Sequence, residues 1–166
     1  MALFTNKNFI NHDDYMTPKY VWQDIKDLIP PNTVIWECFY GDGTSGENLK
    51  ELGFDVIHEK IDFFNSDRGE LLVSNPPFSK KKEVFTRLKQ LNKPFIMLAP
   101  SSMINTQYIR QLFSNCDDKI QIIIPKKRIN FTKKKDNVSE KLKNTCNFDC
   151  FYYCWKINLP NDINWL

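Results

Sequence analysis

The chain has no apolar run near the twenty or so residues of a membrane span, and nothing at its start reads as a secretory leader. Its five cysteines are odd in number, so they cannot all pair into a disulfide framework. A soluble, reducing, intracellular setting is expected. Cys146, Cys150 and Cys154 are spaced by four through an apparent strand, which would hold neighbours about 13 Å apart. One zinc ion cannot collect them at that spacing, so they read as buried small hydrophobes and no metal site is expected. Repeats and low-complexity linkers are also missing. The 166 residues read as one domain, 1–166, large enough to bury a core without disulfide support. A uniformly basic surface is excluded by a net charge of only +3.

What is present is an alternation of apolar strands with helices. Helix signals lie at Lys19 to Leu28, Gly46 to Leu52, Lys80 to Leu91 and Asn105 to Phe113. Strand signals lie at Val34 to Cys38, Phe54 to Ile57, Leu71 to Ser74, Phe95 to Ala99, Ile120 to Ile124 and Phe148 to Ile157. Continuous apolar strands alternating with helices predict an α/β fold whose mostly parallel sheet is covered on both faces. The last two strands, with no clear helix between them, predict a C-terminal antiparallel pair. Ligands in such sheets bind outside the strand carboxyl ends, where Glu37, Glu59 and Asn75 all fall.

Asn75-Pro76-Pro77-Phe78 follows the strand Leu71 to Ser74 directly. The Asn75 side-chain oxygen and the Pro76 main-chain carbonyl suit the two hydrogens of an exocyclic amine. Each proline fixes its own φ and needs no donor partner, so that carbonyl is aimed. Phe78 would stack on the heterocycle, worth roughly 1–3 kcal/mol. Alone, the tetrapeptide also reads as a strand-ending turn.

Upstream, the strand ending at Glu37-Cys38 runs into Phe39-Tyr40-Gly41-Asp42-Gly43-Thr44-Ser45-Gly46, a glycine-rich turn that opens a helix. Gly41 and Gly43 let the backbone approach a ligand. Glu37 stands at the strand end, and Glu59, after the next strand, lies at the distance of about 20 residues that suits ribose hydroxyls. No phosphate-gripping lysine follows the glycines, and Asp42 would repel a pyrophosphate. An adenosyl ligand without phosphates therefore fits better than a dinucleotide.

These residues together resemble the class I S-adenosylmethionine-dependent methyltransferases, above all the adenine-N6 nucleic-acid (DNA) methyltransferases with the catalytic pattern NPPF. Glu37 to Gly43 resembles their cofactor loop and Asn75 to Phe78 their catalytic tetrapeptide. Tyr15-Met16-Thr17-Pro18 is similar to a Thr-Pro element that contacts the methionine end of the cofactor, which implies roles for Tyr15, Thr17 and Pro18. Asp62-Phe63 resembles the element that holds the cofactor's adenine. The resemblance covers roughly Asp14 to Phe78 in motif order and implies a Rossmann-like fold with S-adenosyl-L-methionine as cofactor. One departure is visible: the interval from His58 to Asn75 is too short for the usual helix and extra strand, which leaves the sheet one strand short. Either Glu59 or Asp62 then meets the ribose or adenine.

Lys80-Lys81-Lys82 follow the tetrapeptide, and Lys126-Lys127-Arg128 and Lys133-Lys134-Lys135 crowd the segment before the last strand. Lysine clusters often only solvate a surface, but these should emerge at the strand ends, as a basic rim for phosphates with salt-sensitive binding. Lys80, Lys126, Lys127, Arg128 and Lys133 are accordingly candidate substrate contacts, and Phe131 a second stacking surface. The stretch from Pro125 to Thr145 is long for a hairpin connection, a length common in functional loops. Methyl transfer to an arylamine needs no strong general base, so His12 and His58 are expected to take no part. The leading reading is N6 methylation of adenine in DNA. Alternatives are the same reaction on RNA, or a cofactor-binding subunit inactive without its partner, and a homo-oligomer is compatible with either. The chain has no length left for a target-recognition domain. Its abundance of Lys, Asn and Ile hints at an AT-rich, viral or phage source and hence a host cytoplasm.

Overall fold

The apolar runs read as strands come together in one sheet. A computed structural model describes residues 15–133 and 148–166. In chain order the elements are β1 (Tyr15–Met16), α1 (Lys19–Asp24), β2 (Val34–Trp36), α2 (Thr44–Glu51), β3 (Asp55–Ile57), β4 (Leu71–Ser74), α3 (Lys81–Leu91), β5 (Phe95–Pro100), α4 (Gln107–Phe113), β6 (Ile120–Ile124), β7 (Thr132–Lys133), β8 (Cys150–Trp155) and β9 (Ile163–Trp165). Seven strands form a sheet in the order β3-β2-β4-β5-β8-β6-β9, and β1 pairs with β7 in a separate ribbon. Six of the seven strands run one way, with β8 antiparallel between β5 and β6.

Burial explains why the central strands read as unbroken apolar runs. Every residue of β4 and β5 is buried, because both faces of the sheet are covered. On one face α1, the Ile25 that follows it, and α2 pack Val21, Trp22, Ile25 and Leu49 against Ile35, Leu71, Val73, Ile96 and Tyr152. On the other, α3 and α4 pack Val84, Phe85, Leu88, Ile109 and Phe113 against Leu72, Phe95, Met97, Tyr153 and Trp155. Burying each such side chain is worth about 1.5–3 kcal/mol. α3 stops at Asn92, whose left-handed backbone (φ 56°) caps the helix and returns its N–H to Leu88.

The expected shortfall of one strand is met by a difference at the other edge. Between β3 and β4 the chain makes only a short 3-10 turn, Phe63–Asn65, so β3 is the outer strand there. The sheet still has seven strands because β9 extends the opposite edge, parallel to β6. The sequence pattern did not reveal β9, a three-residue strand whose two apolar side chains, Ile163 and Trp165, are exposed. The β1–β7 ribbon was equally unforeseen, since two-residue strands carry no periodicity. Its register pairs Tyr15 with Lys133 and Met16 with Thr132.

No helix among the described residues is long and apolar enough to cross a membrane. His12, Lys134, Lys135 and Cys146 lie outside the described residues, as does 134–145 of the long connection.

Candidate functional site

Two parallel strands set the site. β2 and β4 lie side by side and end together, delivering Glu37 and Asn75 to the same edge of the sheet. A cavity of about 240 Å³ opens there. Tyr15, Met16 and Thr17 line it from the N-terminal segment, Glu37 to Asp42 (Cys38 excepted) and Ser45 from the turn into α2, and Asn75 and Pro77 from the end of β4.

The turn that forms this wall is built by backbone geometry. Gly41 (φ +58°) and Gly43 (φ +94°) both adopt left-handed conformations, which side chains would strain. Asp42 accepts a hydrogen bond from the Thr44 N–H at 2.9 Å and so satisfies the first turn of α2. Ser45 is held from α1 by the Trp22 indole N–H at 3.0 Å.

Asn75 is oriented by hydrogen-bond logic. Its side-chain nitrogen donates to the Tyr15 carbonyl at 3.3 Å and to the Thr17 hydroxyl at 3.1 Å. A main-chain carbonyl can only accept, so the amide nitrogen must face Tyr15 and the oxygen must face away. Asn75 Oδ1 is buried without a hydrogen-bond partner, an arrangement that normally costs about 1–3 kcal/mol. Thr17, only 3% exposed, thus holds the amide from behind.

Glu37 is the buried acid of the site, at 1% exposure. It accepts hydrogen bonds from the Ser74 hydroxyl and from the Phe39 N–H. Burial outweighs these bonds and pushes its carboxyl up to about 7. Burial, and next the Glu37 carboxylate, also pushes the Cys38 thiol up.

His58 is closer to the site than its sequence position suggested. Its imidazole is buried, stacks on Tyr40 with centroids 4.5 Å apart, and places Nε2 3.7 Å from Glu37 Oε2. Burial lowers the His58 pKa and raises that of Glu37, so it moves each member toward its neutral form. α2 makes room for the ring: a Cβ on Gly46 would fall 2.1 Å from the imidazole.

Of the residues singled out from sequence, Tyr15, Thr17, Glu37, Phe39, Gly41, Asn75 and Pro77 meet at the cavity. Pro76 is buried, Pro18 caps α1, and Gly43 lies under the Tyr40 hydroxyl. Phe78 and Phe131 do not line the cavity. They are buried, at 8% and 5% exposure, in a four-ring cluster with Tyr15 and Phe148.

Glu59, Asp62 and Phe63 also lie off the cavity. Glu59 is exposed. Both oxygens of Asp62 are engaged in their own turn, by the Phe64 N–H and the Asn65 side chain. Phe63 is buried against Phe39, with centroids 4.8 Å apart.

Among the basic candidates, Lys80 lies 6.0 Å from the Phe64 ring and Lys127 5.2 Å from the Tyr20 ring. Arg128 pairs with Asp149 at 2.9 Å, Lys126 is exposed, and Lys133 belongs to β7. Met16, Tyr40, Asp42 and Ser45 line the cavity without having been singled out; all four sit inside the motifs, which was their available signal. No group of His, Cys, Asp and Glu among the described residues could hold a metal ion.

The strand order, the one inserted antiparallel strand and a cavity at the strand carboxyl ends define a Rossmann-like fold of the class I methyltransferase type. The chain is similar to a solved structure described as "a putative RNA methyltransferase PH1948 from Pyrococcus horikoshii", with a TM-score of 0.53 and 13% identity over 93% of this chain and 91% of that one. At that identity the likeness speaks for the fold. No protein-family model matches the sequence, and no curated protein matches it.

Proposed function

We propose that the chain is an S-adenosylmethionine-dependent methyltransferase that modifies the exocyclic N6 amine of adenine in a nucleic acid. The observation that carries this reading is Asn75, with its amide nitrogen tied back and its buried oxygen unpaired at the end of β4.

The cavity suits a cationic adenosyl ligand by its donor set. It is lined by the carboxyls of Glu37 and Asp42, by Thr17 and by aromatic rings, with no lysine or arginine. Asp42 and the aromatic faces, with no cation among the lining residues, favour a sulfonium and an ammonium and disfavour phosphates. At about 240 Å³ it falls below the roughly 300–1,000 Å³ of whole small-molecule sites, so it takes one end of the ligand. Thr17, Phe39, Gly41 and Asp42 would hold that end. Because both Asp62 oxygens serve their own turn, Glu59, which is exposed, is the acid proposed for the ribose.

Bound S-adenosylmethionine supplies an electrophilic methyl group on sulfur. The chain's own part is to present the amine. Asn75 Oδ1 and the Pro76 carbonyl accept its two hydrogens, favour a more tetrahedral nitrogen, and stabilise positive charge as it develops there. Tyr15, the member of the four-ring cluster that lines the cavity, would give the base an apolar wall, which fixes its orientation. A base in a duplex must first be extruded at a cost of a few kcal/mol, least for an unpaired base.

The tetrapeptide's resemblance favours DNA, while the fold neighbour's description as an RNA methyltransferase favours RNA as the second reading. The test is to incubate the protein with methyl-labelled cofactor and RNA, single-stranded DNA or duplex DNA, then digest and identify the nucleoside. N6-methyladenosine, or its deoxy form, is the expected product. Measurable cofactor binding with no label in any nucleic acid would instead favour the partner-dependent subunit.

A further inference from the structure

A second concavity lies between α3 and the turn at Phe63–Asn65. It is an open groove of about 690 Å³, walled by Phe64 on one side and by Lys80, Lys82, Glu83, Arg87 and Gln90 on the other. Phe64 is partly buried and sits edge-on to Phe63, with centroids 5.2 Å apart. Phe63 in turn packs on Phe39, which lines the cavity. On the other wall, Lys80 is three residues from Pro77, also of the cavity. The two concavities share no lining residue but are linked by these two connections.

The groove combines the two elements that bind a flexible polynucleotide, cations along a track and an aromatic face. Arg87 spans it: one guanidinium nitrogen donates to the Ser66 carbonyl at 3.1 Å, tying α3 to the turn. Its Nε is buried with no hydrogen-bond partner. The guanidinium is thus held in place at the groove wall, and its remaining terminal N–H groups, not the buried Nε, are the donors a phosphate would meet. Lys80 stands over Phe64, and Lys82 is exposed. Glu83 is the acid of this wall and cannot face a phosphate.

We infer that this groove is a binding subsite for a single-stranded polynucleotide, in which Lys80, Lys82 and Arg87 meet phosphates and Phe64 stacks one base. The inference rests on the nucleic-acid reading above and adds the path of the strand away from the target base. It accounts for a chain that has a cavity for one cofactor end and no separate recognition domain among its described residues: the strand is gripped beside the site.

The test uses fluorescein-labelled oligothymidylate and oligouridylate, which contain no adenine, so binding is read apart from methylation. Anisotropy titrations over a salt series give affinity and slope. Lys82→Ala should flatten the plot of log affinity against log salt by about 0.7, the increment for one phosphate on a single strand. Phe64→Ala should weaken binding about fivefold to a hundredfold, and Phe64→Leu, which keeps the packing, should show the same loss. Glu83→Gln should tighten binding. Lys119→Ala, on a lysine 75% exposed and paired with Asp162 at the far sheet edge, serves as control and should change neither quantity. Equal effects of Lys82→Ala and Lys119→Ala, or unchanged affinity in Phe64→Leu, would overturn the subsite. A difference between the two oligomers assigns the strand to DNA or RNA. Intact groove-dependent binding without methyl transfer would retain the subsite and remove the adenine-N6 reading.

Discussion

The side-chain nitrogen of Asn75 and the main-chain carbonyl of Tyr15, sixty residues apart in sequence, are joined by a hydrogen bond of 3.3 Å. Through it the N-terminal segment decides which way the Asn75 amide faces, because the carbonyl cannot donate. The Thr17 hydroxyl, at 3.1 Å, reinforces the choice. Thr17→Val should therefore lower kcat by about two- to tenfold, the worth of one hydrogen bond of 0.5–1.5 kcal/mol. Thr17→Ser should restore it. If Thr17→Val changes thermal stability but leaves kcat alone, the contact is structural only.

Gly46 and His58 occupy one volume. A Cβ at Gly46 would lie 2.1 Å from the imidazole, so Gly46→Ala should destabilise the fold by about 1–3 kcal/mol through overpacking. His58→Ala in the same chain should recover much of that loss. Urea unfolding of the two single variants and the double variant gives the coupling directly. Additive losses would mean the helix shifts away without touching the ring.

Glu37 and His58 predict opposing pH dependences. The Glu37 carboxyl titrates at about 7 in the fold against an ordinary value of 4.5. The folded state therefore holds a proton that the unfolded chain has released. The corresponding stability is complete below the ordinary value, declines as pH rises from there to about 7, and is gone above it, a change of order 3 kcal/mol. His58, lowered by burial, contributes in the other sense: its stability is present above the ordinary imidazole range and is lost as pH falls. Unfolding free energy against pH should change slope in Glu37→Gln over the interval from 4.5 to 7. An unchanged profile would place the Glu37 proton elsewhere.

Asp62 and Glu59 should separate cleanly by phenotype. Asp62 caps its own turn with both oxygens, so Asp62→Ala should lower stability by about 0.5–2 kcal/mol. Glu59→Gln should spare stability and weaken cofactor binding about tenfold or more, as expected for hydrogen bonds to a charged acceptor. Calorimetric titration with S-adenosylmethionine decides; equal affinities would remove Glu59 from the ribose.

Much of this architecture was legible in the sequence. β4 and β6 have the bounds their apolar runs implied, and short apolar runs bounded by polar or turn residues leave little room for error. The candidate site residues Glu37, Gly41 and Asn75 converge on one cavity because strand carboxyl ends converge in a parallel sheet. Three features were not legible. Phe78 and Phe131 form a cluster with Tyr15 and Phe148 through contacts between segments far apart in sequence, which no local pattern encodes. His58 looked like a strand terminus, and only the absent side chain at Gly46 shows that the fold is built around it. β9 and the β1–β7 ribbon are too short for alternation to register.

The most direct test of the account is single-turnover methyl transfer to adenine-containing RNA and DNA by the wild-type chain and by Asn75→Ala, with cofactor affinity measured alongside. The account predicts label on adenine N6, a rate reduced by about 10²–10³-fold in Asn75→Ala, as for loss of a group aimed at developing charge, and little change in cofactor affinity. Equal rates in the two proteins, or label on a position other than N6, would contradict it.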